Sequence, residues 1–131
     1  MDKILKSADE ILKALADPTR LRIVGLLRGG EICVCHIYDS LKISQPKASR
    51  HLAYLRRAGV VNAEKRGLWV YYSLAPQESR AVQALLDAAV HTTTHLTVTA
   101  RDVQRLEKAI GSPVAAAAPT LAACCTGTTR R

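Results

Sequence analysis

The sequence predicts a mainly α-helical protein with a small β-hairpin, in the order α-α-α-α-β-β-α. Apolar residues recur at three- and four-residue spacing through most of the first 110 positions, which is the pattern of amphipathic helices. Residues 60–73 are instead rich in β-branched and aromatic side chains around a Gly, which indicates two strands and a turn. There is no Phe and only one Trp, so we expect a core of Leu, Ile, Val and Ala.

Three helices are predicted before the centre of the chain. The first covers about residues 3–16, where apolar residues form one stripe. A second helix starts at Asp17-Pro18, because Asp is a good N-cap and Pro suits the first helical turn, and it continues to Gly29-Gly30. A short third helix is expected over about residues 33–41.

The fourth helix completes a recognisable motif. Ser44 is its expected N-cap, Ala48, Leu52 and Leu55 form its inner stripe, and Gly59 is its expected stop. Two short helices joined by a tight turn and followed by a hairpin outline a winged helix-turn-helix.

The rest of the chain is predicted to consist of the hairpin, one long helix and a tail. The strands cover residues 60–65 and 69–73, with Arg66-Gly67-Leu68 as the turn. One long helix is expected from about 77 to 110, although its Thr-rich middle has weak helix propensity. We therefore expect a domain over residues 1–110 and a flexible low-complexity tail over 111–131.

Positive charge is concentrated on the proposed motif. The chain carries +8 formally, and residues 41–66 contain seven basic residues and one acidic residue, a net +6. The N-terminal end of the second helix of such a motif enters the major groove of DNA, and Arg reads guanine with two hydrogen bonds. Double-stranded DNA is therefore the expected partner. The candidate contacts are Gln45, Lys47, Ser49, Arg50, His51, Tyr54 and Arg57 on the helix, and Lys65 and Arg66 on the hairpin.

The cysteines are expected to stay reduced. No apolar run of 18 residues is present, so no membrane span is predicted, and the N-terminus lacks the apolar middle of a signal peptide. A cytoplasmic location follows, where thiols are kept reduced. The four cysteines are thus expected to bind metal or to react with oxidants rather than to form structural disulfides.

Four separated motifs resemble one family. LADPTRLRIVGLL, EICVCHI, LKISQPKASRHLAYLRRAGVV and KRGLWVYYSL occur in this order between Leu15 and Leu74, and the chain resembles the ArsR/SmtB family of metalloregulatory repressors. The resemblance implies a homodimeric winged-helix repressor that leaves its operator on binding a toxic metal or metalloid. It also implies that the terminal helices, about 3–16 and 77–110, form the dimer interface, although packing within one chain explains their apolar stripes equally well.

The resemblance gives Cys33 and Cys35 a role. The predicted fourth helix is the recognition helix, the one that enters the DNA groove. Arsenic-responsive members of the family carry CVC at the start of the helix before it, where these two residues lie. This implies As(III) or Sb(III) as inducer, and soft thiolates do select soft ions. Side chains two residues apart on a regular helix point almost in opposite directions. We therefore expect ion binding to distort the start of this helix and to re-aim the recognition helix.

The chain departs from the family pattern at the next positions. Tyr38 occupies the position of a third Cys, and His36 that of an acidic residue. The third ligand must come from elsewhere, and Cys124 and Cys125 of the same or the partner subunit are possible donors, as is an exogenous thiol or hydroxide. A nitrogen ligand from His36 would favour zinc or cadmium.

Other functions remain open at this level. The inducer can instead be cadmium, lead, zinc or an oxidant. His91 and His95 lie four residues apart on the last helix, but their spacing does not reproduce the family's zinc pattern, and such His residues are more often structural. A thiol oxidoreductase or metal-transfer protein using Cys124-Cys125 is a distant alternative, because neither a βαβ pattern nor a C-x-x-C motif accompanies the pair. No enzymatic activity is therefore predicted.

Overall fold

In a computed structural model, which describes residues 2–114, the chain forms a winged helix-turn-helix, as the sequence predicts. The helices are α1 (Lys3–Leu15), α2 (Pro18–Leu26), α3 (Val34–Leu41), α4 (Gln45–Arg57), α5 (Arg80–Thr93) and α6 (Thr97–Ile110), and the strands are β1 (Ile32–Cys33), β2 (Val61–Arg66) and β3 (Trp69–Leu74). A 3₁₀ turn at Leu27–Gly29 follows α2. The buried faces of the helices and of β2 share one apolar core.

The predicted caps position the two helices of the motif. The Asp17 carboxylate accepts a hydrogen bond from the Arg20 backbone N–H at 3.0 Å, and the Ser44 hydroxyl accepts one from the Lys47 N–H at 3.2 Å. Each bond satisfies a backbone donor that the first helical turn leaves without an internal partner. The inner stripe of α4 is confirmed, because Ala48, Leu52 and Leu55 are all fully buried.

The wing, which is the hairpin of β2 and β3, belongs to a three-stranded antiparallel sheet. The predicted hairpin is confirmed, with Arg66 opposite Trp69 across the turn. A third strand, β1, pairs with β3 and gives the strand order β1-β3-β2. Sequence analysis missed β1 because two residues are too few to show alternation. In consequence α3 begins at Val34, and Cys33 belongs to the sheet.

The prediction of one long C-terminal helix is wrong. The chain leaves the helix after Thr93 and re-enters it at Thr97, with Leu96 in extended conformation. The hydroxyls of Thr92, Thr93 and Thr94 donate to backbone carbonyls three or four residues earlier. Such bonds compete with helix continuation. The weak propensity noticed in the sequence thus ends the helix, and two helices of 14 residues result.

The described chain ends by packing onto the core. Val114 lies beyond α6 and is buried, and its N–H donates to the Glu107 carboxylate at 2.9 Å. The packed unit therefore continues four residues past Ile110. Cys124 and Cys125 lie outside the described residues, as does most of the predicted tail. Among residues 2–114, no helix is long and apolar enough to cross a membrane.

Candidate dithiol site and DNA-binding face

The thiols of Cys33 and Cys35 lie side by side. Cys33 is the N-cap of α3 and has extended backbone angles, φ −67° and ψ 143°, whereas Cys35 lies in the first helical turn. Their Sγ atoms are 3.3 Å apart, with the Cys35 thiol donating to Cys33. This distance exceeds the roughly 2.05 Å of a disulfide. The expected separation of the thiols is therefore wrong, because only one of the two residues is helical.

The dithiol is sheltered by aromatic residues. Cys33 is fully buried and Cys35 nearly so. They form a cluster with buried Tyr71, and the partly buried Tyr38 and Trp69 pack against it. The hydrogen bond to Cys33, and then burial, raise the pKa of the Cys35 thiol. Without a bound ion, Cys35 therefore keeps its proton at neutral pH.

The described residues bring no third ligand to the dithiol. Within residues 2–114, no three His, Cys, Asp or Glu side chains are grouped so that they could hold a metal ion. His36 is buried, but it does not complete such a group with the two cysteines. His91 and His95 lie with ring centroids 5.1 Å apart, and in this part of the chain no further ligand joins them.

The solvent side of α4 carries most of the predicted DNA contacts. The exposed members of the predicted set on this helix are Gln45, Lys47, Ser49, Arg50 and Arg57. Arg50 and Arg57 lie opposite the buried stripe of the helix, and Lys47 and Ser49 lie on its flanks. The N-terminal end of α4 has no acidic residue in its first turn, and the partial positive charge of a helix N-terminus favours phosphate there.

His51 and Tyr54 instead join α4 to α2 through Arg20. The Arg20 guanidinium lies over the Tyr54 ring, 4.1 Å from its centroid, and its Nη1 is 3.4 Å from His51 Nδ1. Burial lowers the pKa of His51, and the neighbouring Asp17 carboxylate opposes that shift. A neutral imidazole can accept from Arg20, so these side chains position the recognition helix. Sequence analysis missed Arg20, since nothing in the spacing marks a basic residue that packs against a helix 30 residues away.

The two basic residues of the wing differ in their surroundings. Lys65 is exposed. The Arg66 guanidinium donates to both carboxylate oxygens of Glu31 at 2.9 and 2.8 Å, and to Glu64 at 2.8 Å. In this conformation Arg66 is therefore occupied within the chain, whereas the sequence analysis expected it to reach DNA.

A buried carboxylate that the sequence analysis did not single out holds the other end of α3. Asp102 of α6 is fully buried and forms ion pairs with Arg22 at 2.9 Å and Arg105 at 2.8 Å. The same two arginines donate to carbonyls in the last turn of α3, those of Leu41 and Ser40. The helix that begins at the dithiol is thus fixed at its far end to α2 and α6. In the sequence, the only signal for this role of Asp102 is that one acidic residue stands beside the apolar stripe of the last helix.

Comparison with known proteins agrees with this architecture. A model of the bacterial regulatory protein, arsR family, matches residues 17–63. The arsenical resistance operon repressor of Escherichia coli is 47% identical over 61% of this chain and 69% of its own length.

The chain belongs to the ArsR family of bacterial transcriptional regulators. This places it among regulators rather than enzymes, as the sequence predicts.

Further members of the ArsR family extend the comparison. An arsenic resistance transcriptional regulator of Pseudomonas putida is 48% identical over 61% of this chain, and the match spans 63% of that relative, just under two thirds. The solved structure of HlyU from Vibrio cholerae matches with a TM-score of 0.60 at 36% identity, covering 70% of this chain and 97% of HlyU. The homodimeric winged helix-turn-helix domain of a possible ArsR-family regulator from Mycobacterium bovis has a TM-score of 0.56 at 32% identity, covering 70% and 87%.

Proposed function

We propose that this ArsR-family protein is a homodimeric repressor that binds operator DNA in the cytoplasm and releases it when As(III) or Sb(III) binds Cys33 and Cys35. The observation that carries the proposal is the 3.3 Å separation of the two sulfurs. Two relatives named for arsenic or arsenical resistance support the choice of inducer.

The dithiol has the geometry and chemistry of a bidentate site for a soft ion. At a bond length of about 2.3 Å, as for Zn–S, a separation of 3.3 Å corresponds to an angle of about 90° at the ion. Such an angle suits a three-coordinate pyramidal ion better than a tetrahedral one. Uncharged As(OH)₃ would form two S–As bonds and lose two As–O bonds, and each thiol proton would leave with a hydroxide as water.

The third ligand is then supplied from outside the described residues. A retained hydroxide, an exogenous thiol, or Cys124 or Cys125 of either subunit can fill the position. If Cys124 or Cys125 fills it, the chain beyond Val114 would act as an auxiliary thiol carrier beside the DNA-binding and dimerisation domain. His36 is buried and belongs to no group of three possible metal ligands within residues 2–114. This argues against an ion that is bound by both nitrogen and sulfur.

DNA binding rests on the exposed face of α4 and on the wing. In the major groove, Gln45, Lys47, Ser49 and Arg50 would meet base edges and phosphates near the N-terminal end of the helix. Lys65 would contact the backbone from the wing. His51 and Tyr54 would contribute chiefly by holding α4 against α2.

Homodimerisation is supported by apolar side chains that one chain leaves exposed on α1 and α6. Ile4, Leu5 and Leu12 of α1 are 48%, 56% and 51% exposed, and Val98 of α6 is 42% exposed. The similar domain from Mycobacterium bovis is described as homodimeric. We infer that α1 and α6 pair with the same helices of a second copy.

Fluorescence anisotropy on a labelled duplex tests the proposal. The duplex is first selected from a random pool by its binding to the protein. We then titrate each ion separately in buffer that contains a phosphine reductant, using arsenite, antimonite, Cd²⁺, Pb²⁺ and Zn²⁺. We expect arsenite and antimonite to weaken DNA binding about tenfold or more, within the usual range of allosteric coupling. Release by the divalent ions alone would contradict the assignment.

Oxidation is a second candidate trigger, because the two sulfurs are already in contact. Hydrogen peroxide would take two electrons and two protons from the thiols, forming one S–S bond and two water molecules. Adding peroxide without reductant, and then restoring reductant, distinguishes this trigger. Reversible release by peroxide together with no response to arsenite would favour an oxidant sensor.

A further inference from the structure

An ion pair ties the residue before the dithiol strand to the wing. Glu31 immediately precedes β1, and Arg66 is the last residue of β2. The two side chains form a bidentate pair at 2.9 and 2.8 Å. Glu31 is only 13% exposed in this pair, so solvent screens it less than an ordinary surface pair.

A buried aromatic ring links the same pair to the dithiol. Tyr71 lies directly opposite Cys33 in the sheet and belongs to the buried cluster that contains both thiols. The Arg66 guanidinium lies over the Tyr71 ring, 4.6 Å from its centroid. The Tyr71 hydroxyl is buried without a hydrogen-bond partner among the described residues. Packing against the thiols and Arg66, rather than a hydrogen bond, therefore contributes to the position of the ring.

We propose that Glu31 and Arg66 are positioning residues that couple ion binding at the dithiol to the wing. This inference rests on the proposed function and adds a route to it. The sequence-based hypothesis sends the signal through α3 to the recognition helix. The contacts described above offer a continuous second path, from Cys33 through Tyr71 and Arg66 to the strand that carries Lys65.

The mechanism follows from what the ion displaces. Ligation replaces the thiol–thiol hydrogen bond and places a new atom beside the sheltered sulfurs, so Cys33 and Tyr71 must adjust against each other. Because Arg66 packs on Tyr71 and is anchored to Glu31, the wing and the dithiol strand move together. Without that anchor, the dithiol can adjust while the wing stays on the DNA.

The chain offers a matched pair of substitutions. Glu31→Gln and Glu64→Gln each remove one carboxylate from Arg66 and each raise the net charge by one. Glu64 lies two residues from Arg66 on the same strand, so its pair does not connect the wing to the dithiol strand. A purely electrostatic effect on DNA affinity is therefore common to both variants, and a coupling effect belongs to Glu31 alone.

The measurement is the ratio of DNA dissociation constants with and without saturating arsenite, obtained with the selected duplex and the full chain. We expect Glu31→Gln to reduce this ratio about fivefold or more, a substantial part of a typical coupling, and Glu64→Gln to retain the wild-type ratio. Arg66→Lys should behave like Glu31→Gln, because an ammonium cannot form the bidentate pair. If thermal unfolding shows that Glu31→Gln is not folded, the ratio for Arg66→Lys is compared with that for Glu64→Gln instead. Equal ratios in Glu31→Gln and Glu64→Gln would overturn the coupling.

A second readout separates this inference from the identity of the inducer. In a Cys124→Ser/Cys125→Ser background, iodoacetamide labels the two remaining cysteines, and mass spectrometry follows the rate with and without the duplex. We expect bound DNA to slow labelling, and Glu31→Gln but not Glu64→Gln to abolish the slowing. If labelling follows this pattern but arsenite does not release the DNA, the proposed inducer is rejected and the coupling between the dithiol and the wing is supported. Slowing of the same size in both variants would reject the coupling.

Discussion

At the scale of single residues, the backbone of Cys33 decides what the dithiol can do. Its extended conformation turns the Sγ atom towards Cys35, and the site needs no helical distortion to bring two sulfurs to one ion. The sequence predicts which thiols are involved. It could not show their convergence, because that depends on the pairing of Cys33 with Tyr71, 38 positions later.

The raised pKa of the Cys35 thiol predicts how ion binding depends on pH. The raised pKa of Cys35 means that the thiol keeps its proton as pH rises through neutrality. Cd²⁺ must displace the Cys35 proton, so its apparent affinity should rise at least about tenfold per pH unit between about pH 6 and 8. Arsenite carries its own hydroxides and releases water instead of protons, so its affinity should stay nearly constant.

Competition titrations at three pH values within this range, in the Cys124→Ser/Cys125→Ser background, measure both dependences. Zinc titrated in parallel should follow the cadmium slope. An arsenite affinity that rises as steeply as that of cadmium would show that the thiols do not exchange with hydroxide as described.

At the scale of secondary-structure elements, α3 is held at both ends. β1 and the dithiol define its start, and the arginines bound to Asp102 hold its last turn. A signal from ion binding at the dithiol would therefore act on a helix whose other end is fixed to α2 and α6.

Asp102→Asn should destabilise the fold by about 3 kcal/mol, because it leaves Arg22 and Arg105 without their shared buried counter-charge. Denaturant unfolding of the purified variant measures the change. Asp87→Asn is the control, since Asp87 is exposed and accepts only from Gln83 among the described contacts, and it should stay within about 0.5 kcal/mol of wild type. A loss below about 1 kcal/mol for Asp102→Asn would show that solvent compensates the two arginines.

Prediction from sequence worked best for elements with a long repeating pattern. The stripe of Ala48, Leu52 and Leu55 and the caps of α2 and α4 depend on local chemistry, and the structure confirms them. The two-residue strand β1 and the break after Thr93 were missed. The first depends on a distant partner strand, and the second on a competition between side-chain and backbone hydrogen bonds that propensity alone does not resolve.

At the scale of the whole molecule, the proposed function requires two copies. Exposed apolar residues lie on α1 and α6, the helices that precede and follow the DNA-binding motif in the chain. Asp102 connects α6 to the end of α3 through Arg22. In the proposed dimer, the interface helix α6 would therefore be connected to the helix that begins at the dithiol through a short set of contacts.

Leu12→Glu should convert the dimer to monomers and weaken DNA binding, because a charge would be placed in the proposed apolar interface. Sedimentation velocity measures the assembly state. Leu68→Glu makes the same chemical change at the tip of the wing, where Leu68 is 92% exposed, and it should leave the dimer intact. Dimers that persist in Leu12→Glu at micromolar concentration would place the interface elsewhere.

The most direct test of the central claim is arsenite-induced DNA release by cysteine variants. We predict that wild type and Cys124→Ser/Cys125→Ser both release the duplex, the latter with equal or reduced sensitivity to arsenite. Cys33→Ser and Cys35→Ser should bind DNA with wild-type affinity and remain bound at arsenite concentrations that saturate wild type. Full release by the Cys33→Ser/Cys35→Ser double variant would contradict the assignment of the dithiol as the inducer site.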